Sequence, residues 1–259
     1  MIDKQLTLFL LGGYDLEMLT IRRLLKRKGY NFVDKKLSWG AKLSAYKESF
    51  DTLHHYIGIE LIDDITPPAR YTSIDHHNND YEKPSALEQV AALVGHSLTR
   101  YEQLVAANDK GYIPAMQALG ASKEEILRIR RKDRAAQGIS LKEEKIILNP
   151  AHLQIEQIGE ILVVQTPFER FSPIVDYFYP QRHLIVFNDH ELMYYGSLTA
   201  RLVDILQSLL KENKIFYGGN PPSFLGTGKG FFSKPELEIL KNQIISLSLN
   251  PNLNNQVPR

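Results

Sequence analysis

One short stretch of the chain places a carboxylate beside two imidazoles. Asp75, His76 and His77 directly follow Tyr71–Ile74, which we interpret as the end of a buried strand. Ligands of open α/β sheets bind at such strand ends. Carboxylate and imidazole together suit Mn, Fe or Zn, whereas oxygen-only sets suit Mg or Ca. A tripeptide this short also occurs by chance, so the rest of the chain decides whether it predicts a metal site.

Further acidic residues lie at the ends of other predicted elements in the N-terminal half. They are Asp15 and Glu17 after the first strand, Glu60, Asp63 and Asp64 in or after the third, and Asp109 between two helices. Parallel strands bring the groups that follow them to one edge of a sheet. A site for two divalent ions needs such a surplus of acids together with a histidine. Taken singly, Asp15 and Asp109 also fit ordinary helix caps. Glu60 is harder to explain as structure, because a carboxylate in an apolar strand rarely lacks a partner.

Hydrophobic periodicity predicts an α/β domain over residues 1–140. The predicted strands are Leu6–Leu11, Asn31–Asp34, Tyr56–Ile62 and Tyr71–Ile74. The predicted helices are Leu16–Lys28, Ala41–Phe50, Ser85–Val94, Ser97–Ala107, Ile113–Leu119 and Lys123–Gln137. These patterns favour a parallel sheet flanked by helices, followed by a helical appendage.

The second half predicts a smaller α/β unit. Its predicted strands are Glu160–Gln165, His183–Phe187, Glu191–Tyr195 and Lys214–Tyr217, and its predicted helices are Ser172–Tyr179, Thr199–Leu210 and Lys234–Leu247. A glycine-rich loop spans residues 218–230. We therefore expect a metal-binding domain at 1–140, a helical linker at 141–157, a substrate-binding domain at 158–249 and a flexible tail at 250–259.

Composition restricts the function classes. The chain has 259 residues, 43% of them hydrophobic, with 31 basic and 30 acidic residues and no cysteine. Disulfides and thiolate metal sites are excluded, so a metal must be held by His, Asp and Glu. The N-terminal apolar run is too short for a signal peptide or a membrane span. We expect a soluble cytoplasmic protein with no membrane partner, and the near-neutral charge favours a small phosphorylated compound or short oligonucleotide over long nucleic acid.

Two other charged segments have ordinary structural interpretations. Arg128–Lys132 with Arg134 is a helical charge run, which is usually a solvated face and less often a basic rim for polyphosphate or nucleic acid. The pair His54–His55 precedes a predicted strand and is expected at the surface. His183 and His190 are expected to be ordinary residues of a hairpin.

The segment from Ser73 through Asp75, His76 and His77 to Asn78 resembles the signature of the DHH phosphoesterase family. That family includes single-strand exonucleases, short-oligonucleotide and cyclic-dinucleotide phosphodiesterases, and manganese inorganic pyrophosphatases. The resemblance implies a parallel-sheet DHH-type domain, a helical linker and a smaller DHHA1-like domain. It also implies hydrolysis by two-metal activation of water, with Mn²⁺ or Mg²⁺ as the cofactor.

The resemblance also assigns roles to residues of this chain. The implied metal ligands are Asp15, Glu17, Glu60 or Asp64, Asp75, His76 and Asp109. Asp75 is either a ligand or a partner that holds an imidazole in the required tautomer. His77 is expected to contact the phosphate or the leaving group, so Asp75, His76 and His77 form the expected catalytic group. The expected substrate loop contains Gly218, Gly219, Gly226, Gly228 and Lys229.

The chain departs from the family pattern at three places. Leu11 occupies the position of the first-motif histidine, Glu17 replaces an aspartate, and the C-terminal loop has no histidine, so Lys229 takes the anion contact. We expect a metal-dependent phosphoesterase that hydrolyses a phosphodiester or other phosphate ester. The alternative is a catalytically impaired DHH-fold protein that binds a nucleotide or oligonucleotide. A third interpretation is other metal chemistry on the same scaffold. The sequence leaves the oligomeric state open, a homodimer included.

Overall fold

The computed structural model describes residues 2–38, 40–77, 80–219 and 223–249. The chain divides into two compact units, Met1–Ser140 and Leu141–Arg259. Residues 78–79, residues 220–222 of the glycine-rich segment and the predicted tail at 250–259 lie outside the described residues. Among the described helices, none combines the length and the apolar character needed to cross a bilayer.

The first unit contains a four-stranded parallel sheet in the order β2-β1-β3-β4. Its strands are β1 Thr7–Leu11, β2 Asn31–Asp34, β3 His55–Ile59 and β4 Tyr71–Ile74. The central strands β1 and β3 are buried along almost their whole length, as expected of parallel strands covered on both faces. The predicted α/β fold with a parallel sheet is therefore confirmed.

In the described part of the first unit, four α-helices and the 3₁₀-helix Leu43–Ser49 accompany this sheet. The α-helices are α1 Leu16–Lys28, α2 Ala86–Leu93, α3 Arg100–Ala118 and α4 Lys123–Ala136. Capping boxes begin α2, α3 and α4, and satisfy backbone N–H groups that the helix leaves unpaired. The α-helix predicted at Ala41–Phe50 is a 3₁₀-helix. The two helices predicted at Ser97–Ala107 and Ile113–Leu119 are one kinked helix, α3. The kink lies at Gly111 and Tyr112, whose backbones are not helical and which precede Pro114.

The second unit contains a mixed six-stranded sheet in the order β5-β6-β7-β8-β10-β9, in which only β6 and β7 pair in parallel. Its strands are β5 Gln154–Ile158, β6 Ile161–Gln165, β7 His183–Phe187, β8 Leu192–Gly196, β9 Ile215–Gly218 and β10 Phe224–Thr227. Its α-helices are α5 Leu141–Ile147, α6 Ser172–Phe178, α7 Thr199–Ile205, α8 Gln207–Lys211 and α9 Lys234–Leu249.

Three features of the second unit correct the sequence prediction. Part of the glycine-rich loop is strand β10, which lies between β8 and β9. Its Leu225 is fully buried in the core. The linker 141–157 contains the exposed strand β5 as well as a helix. The single helix Thr199–Leu210 is interrupted at Leu206, so that α7 and α8 are separate helices.

Gly12 determines how closely two strand ends approach each other. It follows β1, and a Cβ atom at this position would overlap the backbone carbonyl oxygens of Ile59 and Glu60. Leu11 and Ile59 are paired in register, so the turns that leave β1 and β3 lie directly against each other. Only a residue without a side chain allows this contact.

We expect Gly12→Ala to lower the free energy of unfolding by about 3 kcal/mol, because the backbone must move to accept the methyl group. Gly29→Ala is the control, since Gly29 has φ of 74° with open space around it. Its cost is the left-handed backbone alone, about 1 kcal/mol. Urea unfolding of both variants measures the difference. Equal losses of stability would contradict the proposed contact.

Candidate metal centre

The candidate site lies where three parallel strands of the first unit end at the same level. Leu11 of β1 pairs with Ile59 of β3, and Ile59 pairs with Ile74 of β4. The residues that follow these strand ends are therefore neighbours. They are Gly12, Glu60 and Asp75, with His76 and His77 next along the chain. The sheet thus brings the predicted groups to one edge.

The imidazole of His76 is surrounded by carboxylates from three other segments. His76 is 5% exposed. Its Nε2 atom lies 2.7 Å from Asp109 Oδ2, 3.4 Å from Glu60 Oε1 and 3.7 Å from Glu17 Oε2. These four atoms are buried, and none has a correctly oriented hydrogen-bond partner. Buried polar atoms without hydrogen bonds are rare, so four such atoms that face one another indicate a binding site for a ligand between them.

Glu17 is held in the site by the start of helix α2. Its Oε1 atom accepts a hydrogen bond from the Leu87 N–H at 2.9 Å, in the first turn of α2. A helix N-terminus stabilises a negative charge there. Burial raises the pKa of Glu17, although contact with His76 lowers it. The other oxygen, Oε2, is directed at His76.

Glu60 provides carboxylate oxygens to two sides of the site. Oε1 faces His76, whereas Oε2 lies beside Gly13. A Cβ atom added to Gly13 would be 3.5 Å from both Glu60 Oε2 and Asp15 Oδ2, so these two carboxylates face the same backbone position. The backbone of Glu60 is left-handed, with φ of 53°, and its N–H donates to the Ile74 carbonyl. This unfavourable conformation is held by β4 and directs the carboxylate inward.

Asp15 is both a helix cap and a neighbour of the site. Its Oδ1 atom accepts from the Met18 N–H at 2.8 Å, which caps α1 as the sequence allowed. Burial together with the charges of Asp109 and Glu60 raises the pKa of Asp15 to about 8. Burial and the charge of Glu17 raise the pKa of Asp109 to about 7. These shifts reflect negative charges brought together away from water.

Asp75 acts on the two histidines that follow it. Its Oδ1 atom accepts from the backbone N–H groups of His76 and His77, and from Nδ1 of His77 at 2.9 Å. Burial raises the pKa of Asp75, but the bonds from His77 outweigh this effect and lower it. The hydrogen bond to Asp75 raises the pKa of His77. Asp75 thus holds the His77 ring with Nε2 directed away from it.

The structure brings together most of the sequence-predicted ligands, but not all. One ligand atom each from Glu60, His76, His77 and Asp109 lies within 4.8 Å of the others. Asp64 is exposed and accepts from the N–H and hydroxyl of Ser44 at 2.9 and 2.6 Å. Of the two candidates that the sequence left open, Glu60 therefore lies in the cluster and Asp64 does not.

The remaining predicted residues lie elsewhere. His54 pairs with Asp51, and His55 begins β3, at the opposite end from the cluster. In the second unit, Gly218 ends β9 and Gly226 lies in β10, while Lys229 forms a 2.7 Å ion pair with Glu169. Gly219 has φ of 87°, and Gly228 packs against Phe231.

Sequence reasoning missed a buried polar network on α4. Arg130 belongs to the charge run that was expected to be a solvated face, but it is buried, and so is Asp133, for which no role was predicted. The signal was present in the spacing, because both residues fall on the same helical face as Ile126 and Ile129. The Leu87 N–H that holds Glu17 is a long-range contact that local patterns do not reveal.

The fold of a solved structure is similar to that of this chain. The sequence matches no protein-family model and no curated protein. The DHH domain of a protein described as a member of a family of ribosomal proteins has a TM-score of 0.54 and 11% identity, and covers 92% of this chain and 86% of its own. RecJ from Thermus thermophilus in complex with Mn²⁺ has a TM-score of 0.47 and 11% identity, and covers 94% and 52%. Exonuclease RecJ bound to manganese also has a TM-score of 0.47 and 11% identity, and covers 93% and 90%. The chain has a DHH-type fold, as its sequence predicted.

We expect divalent-cation binding to strengthen with pH. Burial lowers the pKa of His76, but contacts with Asp109, Glu17 and Glu60 outweigh it and raise the pKa to about 12. Binding must therefore displace the His76 proton, at about tenfold in affinity per pH unit. Below about pH 7 the carboxyl of Asp109 must also lose a proton, and below about pH 8 so must that of Asp15. The affinity for the cation therefore depends on pH more steeply below pH 7 than above pH 8.

Isothermal titration of Mn²⁺ at a series of pH values, in buffers of different ionisation enthalpy, measures this proton release. An affinity that does not change with pH would contradict a site in which the cation replaces a proton on these groups.

Proposed function

We propose that the first unit is a metal-dependent phosphoesterase domain that hydrolyses a phosphodiester or another phosphate ester. The observation that supports it most directly is the set of four buried atoms without hydrogen bonds, contributed by Glu17, Glu60, His76 and Asp109. Three carboxylates and one imidazole form a ligand set suited to Mn²⁺. The DHH-type fold and the tripeptide Asp75-His76-His77 favour phosphate chemistry over other metal chemistry.

The residues present fit a divalent cation. Glu17, Glu60, His76 and Asp109 would hold one ion, and Asp15 together with Glu60 Oε2 would hold a second. Bound ions of this kind supply Lewis acidity and lower the pKa of a coordinated water. Leu11, which is fully buried, offers no ligand at the family's histidine position, so the site relies on carboxylates where the family uses imidazole.

The two histidines have different environments and therefore different proposed roles. The side chain of His76 is 4% exposed, whereas that of His77 is 39% exposed. His77 donates Nδ1–H to Asp75, which favours a second proton on Nε2. We assign His77 to the substrate: Nε2–H donates to a phosphate oxygen or protonates the leaving oxygen. Asp75 keeps that ring oriented.

The proposed substrate is a nucleotide, a short oligonucleotide or a small phosphorylated compound. We assign phosphate contacts in the second unit to Gly219, Gly228 and Lys229. Lys229 is exposed, and its ion pair with Glu169 is at the surface. Surface ion pairs contribute little free energy, so Lys229 can readily exchange this partner for a phosphate.

A binding protein without hydrolytic activity is the second candidate. It is favoured by the apolar Leu11 at the histidine position, since a site with one ligand fewer can retain one ion and lose turnover. Under this alternative the chain binds Mn²⁺ and a nucleotide, but does not cleave a phosphodiester in the presence of the metal.

We expect the purified chain to cleave bis(p-nitrophenyl) phosphate in the presence of Mn²⁺, and His76→Ala to reduce this rate to background. His76 is the residue that all the cluster carboxylates face, so its loss removes the centre of the site. Asp64→Asn is the matched control, because Asp64 was the other predicted acid of the second motif, lies outside the cluster and accepts hydrogen bonds from Ser44. Wild-type chain that binds Mn²⁺ but cleaves nothing would favour the binding protein, and equal rates for His76→Ala and wild type would reject the proposed site.

We expect His77→Gln to lower kcat about 100-fold while the Kd for Mn²⁺ stays unchanged, because His77 is assigned to the substrate and not to the ion. Titration calorimetry gives the Kd, and steady-state kinetics gives kcat. A weakened Kd that accounts for the lost activity would instead make His77 a metal ligand.

A further inference from the structure

A buried ion pair on α4 connects two of the segments that supply metal ligands. We propose that Arg130 and Asp133 are positioning residues, which hold the ligand-bearing parts of α1 and α3 at the spacing that a divalent cation requires. The inference rests on the proposed metal site, because it assigns these residues a role toward that site.

Asp133 binds the start of α1 between two of the candidate ligands. Its Oδ1 atom accepts from the Leu16 N–H at 3.3 Å, and Leu16 lies between Asp15 and Glu17. Its Oδ2 atom accepts from Arg130 Nη1 at 2.8 Å and from Gln137 Nε2 at 3.2 Å. Asp133 is 6% exposed, so these bonds form away from competing water.

Arg130 contacts α3 on both sides of Asp109. Its Nη1 atom also donates to Asn108 Oδ1 at 2.9 Å, and its guanidinium lies 4.5 Å above the centre of the Tyr112 ring. Asn108 immediately precedes Asp109, and Tyr112 has φ of 57° at the kink that follows it. Arg130 therefore contacts the side chains of residues before and after the ligand. A guanidinium presents a planar face that stacks on a ring while its N–H groups donate, and an ammonium group has no such face.

Stability alone explains this arrangement poorly. Removing two charges from water is costly, and replacing a buried ion pair by apolar residues is often neutral or stabilising. The carboxylates of Asp15, Glu17, Glu60 and Asp109 repel one another when no cation is bound. A tether from α4 to both α1 and α3 keeps these groups together despite that repulsion, and so lowers the reorganisation that metal binding requires.

The test is a double variant, Arg130→Met with Asp133→Leu, which removes both charges and fills the same volume with apolar side chains. We expect its Kd for Mn²⁺ to rise about 10- to 100-fold, while the metal-free Tm stays close to that of the wild type. Titration calorimetry gives the Kd, and the electron paramagnetic resonance spectrum of bound Mn²⁺ is expected to broaden as the ligands lose their fixed geometry. A purely structural pair would change Tm and leave both the Kd and the spectrum unaltered.

The matched control is Arg100→Gln with Glu125→Gln, which removes an ion pair between α3 and α4. That pair is partly exposed, and glutamine at 125 can still complete the capping box of α4. We expect its Kd for Mn²⁺ to equal that of the wild type. An equal loss of affinity in the control would overturn the proposal, because the loss of any contact between α3 and α4 would then weaken Mn²⁺ binding.

Arg130→Lys keeps the charge and serves if the double variant does not fold. We expect the Kd to rise about tenfold, since lysine loses the planar stacking on Tyr112 and the fixed geometry of the guanidinium N–H groups. Wild-type affinity in either variant would overturn the positioning role and leave the metal site standing. A wild-type chain that binds no Mn²⁺ would overturn the proposed function itself, and the positioning role with it.

Discussion

Mutual repulsion among buried carboxylates is the constraint on which the first unit depends. Glu17, Glu60 and Asp109 direct oxygens at the Nε2 atom of His76, in a place where water does not reach to separate their charges. Burial, together with the neighbouring negative charges, raises the pKa values of Asp109 and Asp15. A doubly charged cation relieves the repulsion more completely than one proton on an imidazole does, so we regard the cluster as a site prepared for a metal.

Unusual backbone conformations accompany the cluster. In the described part of the chain, four residues other than glycine have positive φ, and two of them, Glu60 and Tyr112, belong to segments that hold the candidate ligands. The close approach at Gly12 lies at the same sheet edge. Such conformations persist only where surrounding contacts enforce them, and here those contacts come from β4 at Glu60 and from α4 at Tyr112. The fold therefore concentrates local strain around the geometry of one site.

The sequence predicted the sheet well because burial on both faces leaves a continuous apolar run in each central strand. It also predicted most of the cluster, since residues after parallel strands share an edge; Glu60 was anticipated because an acid in an apolar strand requires a partner. It failed at Arg130 and Asp133, because the charges of this segment outweighed the helical spacing that places both residues on the buried face of Ile126 and Ile129. It also failed at β10, where glycines suggested a loop although Leu225 is central to the core.

Anomalous diffraction at the manganese edge, from crystals of the chain grown with Mn²⁺, would locate the bound ions. We expect a peak within coordination distance of Glu17 Oε2, Glu60 Oε1, His76 Nε2 and Asp109 Oδ2, and a second peak beside Asp15 if two ions bind. The absence of a peak among these four atoms, with the side chains in their present positions, would contradict the proposed metal site.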